Sequence, residues 1–234
     1  MKLNLEKIKV IENDIKKLTN GESKGVSDGI INIEEYKKAN YKILWVLKEP
    51  YTDKDDNGGW SLTKVFDEYS TWQDVVDKKD GENTLRKIIL TSYSILSDTE
   101  WKKGNNVKYF NTLKSIAYIN IKKHLGKSSS SHKILRNAYL NEENNRILKQ
   151  QINLYSPDII IFGRTFDYFK NDLPEKESWK NFSLKFKKDK DYGNYYVTNN
   201  HLYIDTYHPA CNMLDSSYCN AILEAKRAWE KLKV

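Results

Sequence analysis

Five consecutive apolar residues, Ile43-Leu44-Trp45-Val46-Leu47, leave no polar side for a face in contact with water, and Pro50 ends the segment soon after. A strand with one wet face alternates apolar and polar positions, so an unbroken run fits a central strand covered on both sides. Ile159-Ile160-Ile161-Phe162 has the same character. Ser115-Ile116-Ala117-Tyr118-Ile119-Asn120-Ile121 and Leu202 to Thr206 read as two more core strands, while Phe182 to Phe186 and Tyr195 to Thr198 read as outer or hairpin strands.

Between these runs the spacing predicts helices. One spans about Leu5 to Leu18, with Ile8, Ile11, Ile15 and Leu18 on a shared face, and Asn20-Gly21 stops it. Others are expected at about Ile33 to Lys38, Asn83 to Leu96, Val107 to Leu113 and Ser217 to Leu232, and the longest at about His132 to Leu154, ended by Ser156-Pro157-Asp158. Asp53 to Gly59 is a polar loop, and Lys122 to Lys133 is a basic surface loop with four consecutive serines. Strands alternating with helices predict an α/β fold: a three-layer α/β/α sandwich around a central, mostly parallel four-stranded sheet, with 1–234 as a single domain. Sites in such folds gather beyond the carboxyl ends of the strands.

Composition narrows the chemistry. No apolar stretch approaches a membrane span, and Met1-Lys2-Leu3-Asn4-Leu5 leads into a charged helix, so a cytoplasmic protein with no membrane partner is expected, as a monomer. Cys211 and Cys219 are the only cysteines, which excludes a four-cysteine metal site within the chain and gives no disulfide framework. His124, His132, His201 and His208 have no partner at helical metal spacing, and neither a serine-nucleophile elbow nor a phosphate-binding glycine loop is present, so no metal and no cofactor is expected. The net charge of +7 and pI near 9.0 suit a protein that meets phosphates, although many lysine-rich proteins are equally basic without binding nucleic acid.

Four segments stand at the carboxyl ends of the predicted core strands: Leu47-Lys48-Glu49-Pro50-Tyr51, Tyr118-Ile119-Asn120-Ile121, Phe162-Gly163-Arg164-Thr165 and Asp205-Thr206-Tyr207-His208-Pro209-Ala210. In a parallel sheet these ends converge, bringing together a carboxylate, an amide, a cation and an imidazole. The order of these segments resembles the uracil-DNA glycosylase superfamily over about Tyr41 to Leu214. That family's first motif is of the Gly-Gln-Asp-Pro-Tyr type; here Glu49-Pro50-Tyr51 follows its last three positions with Glu for Asp, and the Gly and Gln are missing. Asn120 matches the strand-end Asn that reads the base, Pro157 to Thr165 resembles the next core strand, and His208-Pro209 opens the last motif.

The resemblance implies cofactor-free hydrolysis of the bond between a base and deoxyribose in DNA, after the nucleotide is rotated into a pocket. Positive charge develops on the sugar and negative charge on the base, so a carboxylate near the sugar and a donor at the base oxygen both favour the transition state. It assigns Glu49 as the carboxylate, His208 as the donor and Asn120 as the base reader, with Tyr51 and Trp60 as pocket aromatics. Met213-Leu214 would enter the gap left by the flipped nucleotide, and Lys48, Lys122, Lys123 and Arg164 would contact phosphates. Ordinary structural roles remain open: Asp53, Asp55 or Asp56 could replace Glu49, His208 could cap a turn, and Met213-Leu214 could pack at a helix entry. The target is uracil or another damaged or modified base, including a modified base of phage DNA, in repair or in phage defence. A nucleotide or nucleoside hydrolase, or a glycosylase-like DNA-binding protein without catalysis, are the alternatives.

Overall fold

The computed structural model describes residues 3–21, 23–50, 56–76, 82–101, 107–126, 130–186 and 193–233. The four apolar segments form β2 (Ile43–Leu47), β3 (Ala117–Asn120), β4 (Ile159–Gly163) and β7 (Leu202–Thr206), paired in parallel in the order β3-β2-β4-β7. All five residues of β2 are buried, as an unbroken apolar run requires.

The sheet has seven strands, not the four expected for the central sheet. β1 (Gly29–Ile30) adds antiparallel to β3, and a hairpin of β5 (Lys180–Ser183) and β6 (Asn194–Val197) adds antiparallel beyond β7. The hairpin falls where outer strands are predicted. β1 was not predicted, because two residues carry no periodicity.

Successive strand residues face opposite sides, and each side has its own apolar core. Trp45, Leu47, Ile161 and Ile204 pack with Ile88 and Ile89 of α5 (Glu82–Ser97) and Ile222 and Trp229 of α10 (Asp215–Leu232). Leu44, Val46, Ile160 and Phe162 pack on the other face with Ile8 of α1 (Leu5–Lys17), Tyr139 of α7 (His132–Leu140) and Leu148 and Tyr155 of α8 (Glu142–Tyr155). Fully burying each such side chain contributes about 1.5–3 kcal/mol. Shorter helices, α2 (Ile33–Lys38), α3 (Leu62–Glu68), α4 (Trp72–Val76), α6 (Val107–Phe110) and α9 (Phe166–Phe169), fill the connections.

The single helix expected from His132 to Leu154 is two helices. Asn141 closes α7 with extended backbone (φ −64°, ψ 123°), and its side chain accepts the Asn144 N–H at 3.0 Å as the cap of α8. Asn is among the preferred helix caps, and Glu142 and Glu143 complement the positive end of the new helix.

The strand order fixes where a site can form. The chain leaves β2, fills one face with α3–α6 and returns as β3; it then covers the other face with α7 and α8 before β4, on the far side of β2. The order therefore reverses between β2 and β4, and the carboxyl ends of these strands are where ligands gather in open sheets of this topology.

Candidate functional site

The last rung of the parallel sheet sets the geometry. Asn120 is level with Leu47, and Gly163 with Thr206; Val46 is level with Phe162, which places Leu47 beside Gly163. Asn120, Leu47, Gly163 and Thr206 thus form one row on one face. At about 4.8 Å per strand, Asn120 and Gly163 stand roughly 10 Å apart, with Leu47 as the apolar floor between them. A side chain at Gly163 would meet Leu47 Cδ2 at 2.5 Å and Pro209 Cδ at 3.0 Å, with the His208 Cα 3.5 Å away. The glycine lets the His208-Pro209 segment fold down onto the row.

Asn120 is fully buried, and neither its Nδ2 nor its Oδ1 makes a hydrogen bond among the described residues. Burial pushes the Tyr118 phenol well above its ordinary range and the Asn120 amide opposes this, but no hydrogen bond of good geometry joins the two. A buried amide normally has partners because desolvating it unpaired is costly. Ser27, which the sequence reasoning did not single out, is also fully buried with an unpartnered Oγ among the described residues.

Glu49 lies just past β2 and its side chain is only 7% exposed; its Oε2 is 3.2 Å from the Lys122 Nζ. Lys122 also donates to the Leu125 carbonyl at 2.7 Å. Two backbone bonds extend the β2–β3 pairing past the strand ends: Ile121 N–H to Leu47 O and Lys122 N–H to Lys48 O, both 2.9 Å. A third, Gly126 N–H to Pro50 O at 2.9 Å, closes the loop over Glu49. A Cβ at Gly126 would sit 1.9 Å from the Glu49 Cδ, so the carboxyl fits only against glycine. Spacing could not reveal this contact between positions 49 and 126.

His208 is half-buried. Burial, with the positive charge of Lys48 nearby, pushes its imidazole down to about 4 from an ordinary 6.5, so the ring is neutral at pH 7. Its Nδ1 accepts the Ala210 N–H at 3.2 Å. A neutral ring that accepts at Nδ1 carries its proton on Nε2, which makes His208 a donor. Asp205 is a second perturbed group: burial and the neighbouring Asp167 raise its carboxyl to about 6, against the opposing charges of Arg164 and Lys170. It pairs in register with Phe162, whose side chain belongs to the other core, and so faces away from the row.

The remaining predicted residues are placed unequally. Trp60 donates its Nε1 to Asp56 at 2.8 Å, and its carbonyl accepts the Ser27 N–H at 3.0 Å, which sets it at the edge beside β1. Asp56 also accepts the Gly58 N–H, so this substitute for Glu49 is committed to holding the turn and the indole. Tyr51, Asp53 and Asp55 lie outside the described residues. Lys48 is half-buried at the His208 side. Arg164 is exposed, holds a left-handed backbone (φ 62°) through its N–H bond to Thr206 O, and lays its guanidinium over the Tyr207 ring at 5.0 Å.

One expectation is corrected. Lys123 is not a phosphate contact: it is fully buried, with its Nζ 2.7 Å from Asp28 Oδ1 and 2.7 Å from Gln151 Oε1. Met213 is half-buried against the apolar core, which leaves Leu214, 71% exposed at the entry to α10, as the projecting side chain of that pair. The buried Lys87 of α5 holds the turn before it, donating to the Cys211 carbonyl at 2.8 Å with Asp215 3.6 Å away.

Two clefts of about 280 and 330 Å3 lie elsewhere, one beside Thr198 and Asn200 before β7 and one beside Ile31 and Asn32 at α2. Among the described residues no group of three His, Cys, Asp or Glu side chains could hold a metal, and no helix is long and apolar enough to cross a membrane. No protein-family model matches the chain, and no curated protein matches it.

Proposed function

We propose that the protein is a monofunctional DNA glycosylase that hydrolyses the N-glycosidic bond of a flipped-out uracil or other damaged or modified base, leaving an abasic site. The observation that carries this reading is the Asn120 amide, buried with donor and acceptor both unpaired among the described residues. Such a group suits a ligand that presents the complementary pair on one planar edge, as a nucleobase does.

In this reading Asn120 reads the base edge and His208 donates from Nε2 to the base oxygen on which negative charge develops. A neutral donor suits that role, because it stabilises the departing anion without requiring a protonated enzyme. Glu49 supplies negative charge beside the sugar, or orients the attacking water. Trp60 stacks at the β1 edge, Leu214 enters the vacated duplex position, and Lys48 and Arg164 meet phosphates at the rim.

Oligonucleotides carrying different bases, together with phage genomic DNAs, are incubated with the protein and then treated with alkali to break abasic strands. Scission on at least one substrate, lost in Glu49→Gln and His208→Ala, is expected. Folded protein that yields no scission on any of them removes the enzymatic reading.

A further inference from the structure

Beneath Asn120 lies a buried polar cluster that the proposed chemistry does not use. Asp28, Lys123 and Gln151 are each at most 1% exposed. Asp28 Oδ1 accepts from Lys123 Nζ at 2.7 Å and Gln151 Nε2 at 2.9 Å, and Oδ2 accepts from Lys123 Nζ at 3.0 Å and from the backbone N–H of Asn120 at 2.7 Å. Lys123 also donates to Gln151 Oε1 at 2.7 Å, and Gln151 Nε2 lies 3.2 Å from the Tyr155 hydroxyl. We propose that Asp28 is a positioning residue that sets the base-reading amide: its carboxylate, held by Lys123 and Gln151, fixes the backbone from which the Asn120 side chain projects.

Three observations point this way. First, β1 and β3 pair through Gly29 with Tyr118 and Ile30 with Ala117, and just beyond these rungs the Asn120 N–H turns to the Asp28 side chain. An ionised acceptor makes a stronger and more directional bond than a neutral carbonyl. Second, the cluster grips both ends of one short step. Asn120 N is bound at one end and Lys123 Nζ at the other, while the Lys123 carbonyl accepts the Val26 N–H at 2.7 Å. Lys122, the partner of Glu49, stands inside that step, so one carboxylate sets the amide and also the cation beside the proposed catalytic acid. Third, the approach of Asp28 depends on Gly29, whose φ of +149° suits glycine and whose Cβ would meet the Tyr155 hydroxyl at 2.3 Å. Stability alone does not account for the cluster, since a well-packed apolar replacement of a buried ion pair is often at least as stable.

The inference rests on Asn120 reading a base, and the test separates the two. D28L/K123M removes both charges and the acceptor for Asn120, whereas D28N/K123M removes the charges and keeps an acceptor oxygen. With melting temperatures near wild type, D28L/K123M is expected to lose about 100-fold in excision rate, as small misplacements at reacting groups do, and to lose discrimination between preferred and secondary bases. D28N/K123M recovers most of both. Wild-type rate and selectivity per folded molecule in D28L/K123M overturn the inference. Should D28L/K123M not fold, Asp28→Glu carries the test: it keeps the charges and shifts the carboxylate by one methylene, and unchanged selectivity there is equally fatal. If the wild-type protein excises no base, the glycosylase reading falls separately. The Asn120 backbone and side-chain amide NMR signals then decide the positioning role: they are expected to shift in D28L/K123M and return in D28N/K123M, and unmoved signals overturn it.

Discussion

Replacing Asn120 with Leu should make the protein more stable and abolish its activity. In the wild type the Asn120 side chain is fully buried with a donor and an acceptor unpaired among the described residues. A buried group left in that state costs about 1–3 kcal/mol, whereas an apolar group of similar size carries no such cost. Asn120→Leu should therefore gain about 1–3 kcal/mol, and each kcal/mol raises the melting temperature by about 2–4 °C in a domain of this length. Asn144 supplies the control. It is 7% exposed, and its Nδ2 donates to the carbonyls of Ile121 and Ala138, both at 2.8 Å. Asn144→Leu leaves both carbonyls without that donor and should lose a comparable amount. Scanning calorimetry of both variants and the wild type, beside the alkali-cleavage assay, reads the signs directly. If Asn120→Leu melts below the wild type, the amide has a partner in the resting protein, and the case for a ligand-facing group there fails.

Other perturbations test the neighbouring parts. Gly126→Ala forces a Cβ into the position 1.9 Å from the Glu49 Cδ; the flexible carboxyl moves aside, so activity should fall by about 100-fold while the urea midpoint barely changes. Lys123→Met alone leaves Asp28 charged and fully buried and should cost about 3–5 kcal/mol, whereas Lys122→Met, which leaves the 7% exposed Glu49 without its lysine, should cost less, about 1–3 kcal/mol; chemical denaturation separates the two, and a larger loss for Lys122→Met would contradict the burial difference. The depressed His208 imidazole makes stability full above pH 6.5 and lower as pH falls toward 4, because the unfolded chain takes up the proton first. Its upper limit is about 3 kcal/mol, reduced by the partial exposure of the ring. Asp205, raised to about 6, acts with opposite sign over the same range, so the measurement is the difference between wild type and His208→Asn at pH 7.5 and 4.5. Parallel pH curves for the two proteins would refute the assignment.

The four parallel strands were legible because runs such as Ile43 to Leu47 have no polar face, and only a doubly covered strand accommodates them. The strand-end groups were legible for the same reason, since the ends of parallel core strands lie on one edge of the sheet and bring together whatever ends or follows each run. β1 was not, being two residues long, and the break at Asn141 was masked by helix-forming residues on both sides. Trp60 could be named, but its bond to Asp56, which removes that acid from the contest with Glu49, could not be read from composition.

The adjacent lysines at 122 and 123 show most clearly where sequence reasoning stops. Both lie just past a core strand, and nothing local separates them. Their fates are opposite because the chain bends just past β3 and aims the two side chains at different neighbours: Lys122 meets Glu49, 73 positions earlier, and Lys123 meets Asp28, 95 positions earlier. The sign of charge could be read at both positions, but its task required the partner's location. Asn120 differs in kind. It is the polar end of Ala117-Tyr118-Ile119-Asn120, a strand buried at every position, and a polar side chain ending such a strand must be satisfied by the fold or wait for something else. Asp28 satisfies its backbone and no described residue satisfies its side chain. That division within one residue, a fixed main chain beneath an unsatisfied amide, places a donor and an acceptor together where a ligand edge could meet both.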